Sequence, residues 1–247
     1  MFKWKNFDIV HKYHEIINPS NPEKLDRLVS LLNLPSDASV LEIATGKGEL
    51  ITKIIEKYGV SGVAVDLSPD FGRLAQDRFS ERIPDADITF LEMDGAEYQL
   101  EEPESFDLTL CLGASWIWNG HKGTLEALKA MTKPGGFIAV GEPFWTKDPD
   151  PEFLERAGYG KEAFGTHFEN VQTGEELGLS LLYTIVSERY DWDNYYNLWW
   201  YAGEEYIRQN PDDPDVPEFK AWLEDAKEQY FRWERDVMGW SIYLFRK

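Results

Sequence analysis

The stretch SVLEIATGKGEL, residues 39–50, decides the fold. Its first part, residues 39–44, is a short apolar run that predicts a buried strand. The small residues of the glycine turn, residues 44–48, let the backbone adopt unusual dihedral angles and approach a ligand closely. Apolar residues with helical spacing follow and predict a helix over 49–58. A strand, a glycine turn and a helix in this order indicate the first unit of an α/β fold.

The same alternation of strand and helix continues along the chain. Further strands are predicted at 61–67, 88–92, 106–112, 137–141, 181–187 and 240–245. Helices are predicted at 69–82, 123–131, 152–159, 175–179, 192–208 and 218–236. Short buried strands that alternate with helices predict a mostly parallel sheet with helices on both faces. We therefore expect a Rossmann-like α/β fold with seven strands.

Four parts are predicted along the chain. Residues 1–37 form an N-terminal lid and a helix, and residues 38–190 form the α/β core. Residues 191–237 are a helical insertion, which we expect to cap the edge of the sheet. Residues 238–247 complete the core with its last strand.

Composition and charge exclude several classes of partner. The chain of 247 residues has 45 acidic and 25 basic residues and a net charge of −20, which disfavours nucleic acid and anionic membrane surfaces. A single cysteine, Cys111, excludes an internal disulfide and fits a core position, and four scattered histidines make a metal site unlikely to form. No signal peptide or apolar membrane span is visible, so a cytoplasmic protein is expected.

Acidic residues follow the next two strands of the predicted sheet. Ligands of open parallel sheets bind outside the carboxyl ends of the strands. Asp66 ends the second strand, where it can accept hydrogen bonds from ribose hydroxyls, and Asp94 follows the third, where it can accept a hydrogen bond from the amine of adenine.

Ile51 replaces the third glycine of a dinucleotide fingerprint, so NAD is disfavoured. Glu42 beside the glycine turn suits a sulfonium or amino group. The predicted ligand is an adenosine that carries a cation.

Residues 38–142 resemble a class I S-adenosylmethionine-dependent methyltransferase. The resemblance lies in residues 41–48, Asp66, the Asp94-Gly95 pair and the turn at 133–136, with Ala44 where the family usually has glycine. The full chain also resembles a group of poorly characterised bacterial methyltransferases. The resemblance implies S-adenosylmethionine as cofactor, S-adenosylhomocysteine as product and no metal. The expected cofactor contacts are Glu42, Ala44, Thr45, Gly46, Gly48, Asp66, Leu67, Met93, Asp94, Gly95 and Leu112.

Three segments are expected to reach the methyl acceptor: residues 11–18, 113–121 and 142–145. The candidate catalytic residues are His14, His121 and Glu142, and the candidate substrate contacts are Tyr13, Trp116, Trp118 and Trp145. Other interpretations stay open, since both histidines can serve packing alone and Glu142 can bind a backbone turn.

A small-molecule acceptor is the main functional expectation. No motif of the enzymes that modify nucleobases or amides is present. The many aromatic residues of 190–201 and the acidic composition favour an amine or a neutral apolar acceptor. The alternative is a non-catalytic protein that binds S-adenosylmethionine or acts as a regulator on the same fold. Aminopropyl transfer is disfavoured because no paired-aspartate polyamine site is evident.

Overall fold

The computed structural model describes residues 4–100 and 102–247; residues 1–3 of the predicted N-terminal lid lie outside this part. Within it, strands form one seven-stranded sheet. The strands are β1 (Ser39–Ile43), β2 (Ser61–Asp66), β3 (Ile88–Glu92), β4 (Phe106–Leu112), β5 (Thr132–Trp145), β6 (Ser180–Val186) and β7 (Met238–Arg246). Their order is β3-β2-β1-β4-β5-β7-β6, and β7 alone runs antiparallel to its neighbours. The predicted Rossmann-like, mostly parallel sheet is confirmed.

Helices connect and cover these strands. They are α1 (Trp4–Val10), α2 (Pro22–Leu31), α3 (Glu49–Tyr58), α4 (Pro69–Arg82), α5 (His121–Met131), α6 (Pro151–Ala157), α7 (His167–Glu176), α8 (Arg189–Gln209), α9 (Val216–Gln229) and α10 (Arg235–Val237). Two of the starts follow simple capping chemistry. The side chains of Asn21 and Ser68 accept hydrogen bonds from the first turns of α2 and α4, and each is followed by a proline.

Three elements differ most from the sequence prediction, one of them the helix predicted at 218–236, which is α9, a π-helical turn at Tyr230–Glu234 and α10. The fifth strand runs to Trp145 because it pairs with β7 along its whole outer length, from Phe137 opposite Arg246 to Trp145 opposite Met238. The short helix predicted at 175–179 is wrong, since α7 ends at Glu176. Helix α7 begins earlier than that prediction, where a capping box forms between Thr166 and Glu169.

The hydrophobic core has two layers, one on each face of the sheet. Val40 belongs to one buried cluster, whereas Leu41 and Ile43 belong to the other. Consecutive residues of a strand point to opposite faces, so both faces are covered. Cys111 is fully buried in the second cluster, as a core residue would be.

The segment between β6 and β7 forms a helical cap, residues 189–237, made of α8, α9, a π-helical turn at Tyr230–Glu234 and α10. Its rings pack on one another: the ring centroids of Tyr196 and Tyr230 lie 4.1 Å apart, and those of Trp199 and Trp222 lie 5.8 Å apart. Helix α1 packs against α8. Much of the unusual aromatic content is therefore the core of this cap.

Two further features are absent from residues 4–100 and 102–247. No helix there is long and apolar enough to cross a membrane. In the same part of the chain no three His, Cys, Asp or Glu side chains are grouped so that they could hold a metal ion.

Candidate functional site

The glycine turn joins β1 to α3 with three left-handed residues: Ala44, Gly46 and Gly48 have φ angles of 55°, 56° and 73°. Asp66, at the end of β2, fastens this turn, because its Oδ2 accepts a 2.7 Å hydrogen bond from the Gly46 amide. Its Oδ1 accepts a 2.9 Å bond from the Ser68 amide. Each oxygen keeps a further acceptor position, since an ionised carboxylate has about four.

A cavity of about 900 Å³ extends from the glycine turn to the cap. This volume lies at the upper end of the usual range for small-molecule sites. Most of the expected cofactor contacts line it: Glu42, Ala44, Thr45, Gly46, Asp66, Leu67, Asp94, Gly95 and Leu112. The sequence pattern and the topology thus bring these side chains to one place.

Two of the expected cofactor contacts lie behind the cavity wall. Gly48 caps the start of α3, and a Cβ at this position would lie 2.7 Å from Cε1 of Phe79. Met93 is half-buried and packs against the second core cluster. Both positions therefore support the shape of the site from outside the cavity.

Glu42 is a buried carboxyl on the floor of the cavity. Its Oε2 accepts hydrogen bonds of 2.6 Å from the Thr45 hydroxyl and 3.2 Å from the Ile51 amide. Burial raises its pKa to about 8, although these two donors oppose the shift. A cationic ligand beside Glu42 would favour the ionised form.

The cavity wall carries mostly negative charge. Its acidic members are Glu15, Glu42, Glu49, Asp66, Asp94 and Glu234. Among the described residues, Lys47 is the one basic side chain on the wall, and its ammonium is bound by the carbonyl oxygens of His11 and His14 at 2.7 and 2.6 Å. These charges favour a cationic ligand over an anionic one.

Asn18 supplies an unused hydrogen-bond acceptor on the same wall. Its Nδ2 donates to the Leu112 carbonyl at 3.4 Å, while its buried Oδ1 has no donor. Buried polar atoms are normally paired, so this oxygen suits an N–H or O–H group of a ligand. The residues present therefore fit a ligand with a positively charged nitrogen or sulfur near the ends of β1 and β4.

Comparison with known proteins shows the family of this chain. A family model described as a methyltransferase domain matches residues 40–136. An S-adenosylmethionine-dependent methyltransferase from Thiobacillus denitrificans, solved in complex with S-adenosylhomocysteine, is 30% identical over 99% of both chains, with a TM-score of 0.89. This chain belongs to the S-adenosylmethionine-dependent methyltransferase family. The cofactor of the family is S-adenosylmethionine, as the sequence predicted.

Two other relatives are similar to this methyltransferase over almost the full length of both chains. An S-adenosylmethionine-dependent methyltransferase from Geobacter sulfurreducens, also solved with S-adenosylhomocysteine, is 28% identical over 98% of this chain and 97% of its own, with a TM-score of 0.90. The uncharacterised protein YjhP of Escherichia coli K12 is 29% identical over 96% of both chains. The resemblance to a poorly characterised bacterial group is confirmed.

The structure of the methyltransferase places both candidate histidine bases behind the cavity wall. Nε2 of His14 contacts the Tyr195 carbonyl oxygen at 2.9 Å, and Nε2 of His121 contacts the Asn170 carbonyl oxygen at 3.0 Å. Burial lowers the pKa of each to about 4. Because both rings pack in the interior and neither lines the cavity, their geometry supports the packing interpretation.

The candidate substrate contacts fall into two groups. Trp116 lies on the cavity wall and is 71% exposed. The others lie away from the wall: Tyr13 donates a hydrogen bond to Glu205 on the surface, Trp118 packs on the second core cluster, and the buried Trp145 donates from Nε1 to the Lys161 carbonyl at 2.8 Å. The structure therefore brings only Trp116 of this set to the cavity.

Glu142 lies one layer behind the wall that Gly113, Ser115 and Pro143 form. Its side chain is 1% exposed, and neither oxygen has a hydrogen bond of good geometry. Burial raises its pKa to about 7 against a smaller opposing effect of the Ser115 side chain. An unpaired buried charge is costly, so this carboxyl stays protonated at pH values below about 7.

The far end of the cavity contains residues that the sequence analysis did not single out. We call this the cap end; it is lined by Trp192, Tyr196, Trp199, Trp222 and Glu234. Sequence pattern indicated rings in this region, but no local motif marks Glu234. It reaches the cavity because the chain adopts a π-helical turn there, and π-helical turns often occur at functional sites.

Proposed function

We propose that this methyltransferase transfers the methyl group of S-adenosylmethionine to a small-molecule acceptor, either an amine or a neutral apolar compound. The observation that carries the proposal is the single cavity that joins the glycine turn to the aromatic cap end. Its volume of about 900 Å³ leaves room for two small molecules side by side. A protein that binds the cofactor without catalysis would not need the part of this cavity that lies beyond the cofactor.

The cofactor half is assigned from the side chains that face it. Asp66 accepts from the ribose hydroxyls, and Asp94 accepts from the adenine amine, with Leu67 against the base. Glu42 and the free Oδ1 of Asn18 face the charged methionine part. When bound, S-adenosylmethionine supplies an electrophilic methyl group on a positively charged sulfur.

The acceptor half is enclosed by two segments. Residues 16–19 and the cap both contribute to its wall and shield it from water. Exclusion of water and fixed orientation accelerate a displacement reaction without any acid or base group. The enclosed shape and the net charge of −20 support a small molecule over nucleic acid. Aromatic rings and acidic groups favour amine or apolar acceptors over anionic ones.

Calorimetry with the full chain tests the cofactor half. We expect S-adenosylhomocysteine to bind and NAD to give no heat. The Asp66→Asn variant should bind S-adenosylhomocysteine about tenfold or more weakly, because charge-assisted hydrogen bonds to the ribose become neutral ones and the new amide nitrogen cannot accept from the Gly46 or Ser68 amide. Asp70→Asn is the matched control, since Asp70 is exposed and, among the described residues, pairs with Arg73 at 4.0 Å. Equal affinity of the Asp66→Asn variant would move the ribose elsewhere.

A second assay separates catalysis from mere binding. Pools of amines, neutral apolar compounds and carboxylic acids are incubated with the protein and S-adenosylmethionine, and S-adenosylhomocysteine release is measured. We expect release with an amine or neutral pool. Binding of S-adenosylhomocysteine without turnover on any pool would support the non-catalytic alternative instead.

A further inference from the structure

The cap end holds a carboxylate that no cation neutralises. Glu234 ends the π-helical turn Tyr230–Glu234 and lines the cavity. Its Oε1 accepts a 2.6 Å hydrogen bond from the Tyr196 hydroxyl. Among the described residues, no lysine, arginine or histidine forms an ion pair with it, although its neighbour Arg235 pairs with Asp193 at 2.7 Å. The carboxylate thus faces the cavity with capacity for a positively charged partner.

Aromatic rings surround the space that this carboxylate faces. The ring centroid of Tyr196 lies 6.1 Å from that of Trp192 and 5.1 Å from that of Trp199. Trp199 in turn stacks on Trp222 at 5.8 Å. Aromatic faces attract cations, and a cluster of rings beside a carboxylate is the usual arrangement for recognising alkylammonium groups. The carboxylate and the aromatic rings are separate observations, and both favour a cationic ligand.

The indole N–H of Trp192 is a second polar group at the cap end that a ligand could pair with. Its side chain is 8% exposed and lines the cavity, yet its indole N–H has no acceptor in the described residues. A buried donor without a partner is rare in folded proteins. A ligand oxygen would satisfy it. The cap end therefore fits a compact molecule with an ammonium group and a nearby hydroxyl or carbonyl oxygen.

We propose that the cap end binds a small protonated amine through the Glu234 carboxylate and the rings of Trp192, Tyr196, Trp199 and Trp222. This inference rests on the proposed function and narrows its acceptor to amines that bind as ammonium ions. The nitrogen must release its proton, to the Glu234 carboxylate or to water, before its lone pair can form the bond to the methyl group as the bond from that methyl group to sulfur breaks. Glu234 has a binding and selecting role: it favours a positive charge over a neutral or negative one. The acidic wall strengthens the same preference along the whole cavity.

Protonation of Glu234 gives the site a pH dependence. Burial raises its pKa to about 7 against the opposing Tyr196 hydrogen bond. The other titratable groups that interact with it are the hydroxyls of Tyr159, Tyr195 and Tyr230, whose pKa values are raised, so they stay neutral near pH 7. A bound ammonium favours the ionised carboxylate. Amine affinity should therefore rise about tenfold from pH 6 to pH 8 as Glu234 loses its proton.

Three probes of similar shape test this proposal by calorimetry. They are choline, the uncharged alcohol in which carbon replaces its quaternary nitrogen, and the anion of tert-butylacetic acid. Each is titrated into the full chain with and without saturating S-adenosylhomocysteine. We expect choline to bind about tenfold or more tightly than the alcohol and the anion to bind weakest, because a desolvated charge pair adds to the shared apolar contact. The choline affinity should show the pH dependence given above.

Two variants distinguish the effect of the Glu234 carboxylate on amine binding from the effect of the protein's overall negative charge. Glu234→Gln should abolish the preference for choline and its pH dependence while leaving S-adenosylhomocysteine affinity unchanged. Glu224→Gln is the matched control, because Glu224 is an exposed cap residue whose ion pair in the described part of the chain is with Lys220, at 3.8 Å. This variant should keep the preference of the unmodified protein.

Several outcomes would overturn the inference. They are equal binding of choline and the alcohol, preference for the anion, an unchanged preference in Glu234→Gln, and no choline binding at millimolar concentration. If S-adenosylhomocysteine still binds in such a case, only the amine site fails and the proposed function stands. If S-adenosylhomocysteine itself does not bind, the proposed function fails.

Discussion

The Lys47 ammonium lies 2.6 Å from the backbone carbonyl oxygen of His14. The same nitrogen contacts the His11 carbonyl oxygen at 2.7 Å. Lys47 stands between the two glycines of the glycine turn, so one buried cation holds the segment after α1 to the cofactor turn itself. The predicted N-terminal lid is therefore attached at its base to the element on which the cofactor is expected to rest.

Removal of this cation should loosen the attachment. We expect Lys47→Met to lower the free energy of unfolding by about 2–4 kcal/mol, because the carbonyl groups lose charge-assisted hydrogen bonds worth about 1.5–3 kcal/mol each. Denaturant unfolding measures this change. Lys122→Met is the control, since Lys122 is exposed and reaches Glu126 only at 4.0 Å. Equal stability of the two variants would show that Lys47 is a surface lysine in solution.

Strain in the glycine turn should depend on position. Ala44 has a φ of 55°, which costs a non-glycine residue about 1–2 kcal/mol. Ala44→Gly relieves this cost but adds about 0.5–1 kcal/mol of unfolded-chain entropy, so the stability should change by about 1 kcal/mol or less. Gly48→Ala should destabilise by about 2–4 kcal/mol, because it gains both the strain and a clash with Phe79. A larger loss for Ala44→Gly than for Gly48→Ala would contradict this account.

Most of the sheet and of the cofactor half could be predicted from sequence because local signals determine them. Short apolar runs mark the strands, and Asp66 and Asp94 follow strand ends that the topology brings together. The start of α7 was missed, although Thr166 and Glu169 have the spacing of a capping box. The acceptor half depends on how the cap packs, which no local pattern encodes. The π-helical turn that brings Glu234 to the cavity is such a case.

Glu142 should make the stability of the protein depend on pH. Between its ordinary pKa of 4.5 and its folded value of about 7, the unfolded chain releases this proton while the folded protein retains it. Folded protein then binds more protons, so its stability falls as the pH rises. The amide side chain of the Glu142→Gln variant cannot ionise, so this variant does not lose stability in this way as the pH rises. Relative to the unmodified protein, the variant should gain about 2–3 kcal/mol between pH 5 and pH 8.

Denaturant unfolding at both pH values measures this difference. The constant effect of the amide cancels, because only the change between the two conditions is compared. Glu155→Gln, which alters an exposed residue of α6, serves as control. A stability difference that stays the same from pH 5 to pH 8 would mean that Glu142 is ionised in the folded protein. Because Glu142 does not line the cavity, Glu142→Gln should change cofactor affinity little.

The lid and the cap should open together. Tyr195 joins them, since its hydroxyl contacts Nε2 of His11 at 2.9 Å and its carbonyl oxygen contacts His14. Tyr195→Phe leaves the buried His11 nitrogen without a partner, so hydrogen exchange should become faster in residues 5–20 and 192–210. In the unmodified protein, exchange in both segments should slow when S-adenosylhomocysteine and an acceptor analogue are added. Tyr190→Phe, at a position that is 74% exposed, is the control. A change in one segment alone would show that they move independently.

The backbone amide of Ser187 donates a 2.9 Å hydrogen bond to the carbonyl oxygen of Trp240. The chain therefore leaves the sheet for the cap and returns to it at neighbouring points of one strand pair. An insertion whose two ends are already adjacent can be exchanged for another of different length without moving the strands that flank it. We therefore expect that transplanting the cap between relatives, together with the N-terminal segment that packs on it, would transfer acceptor choice while the methyl-donor half stays the same.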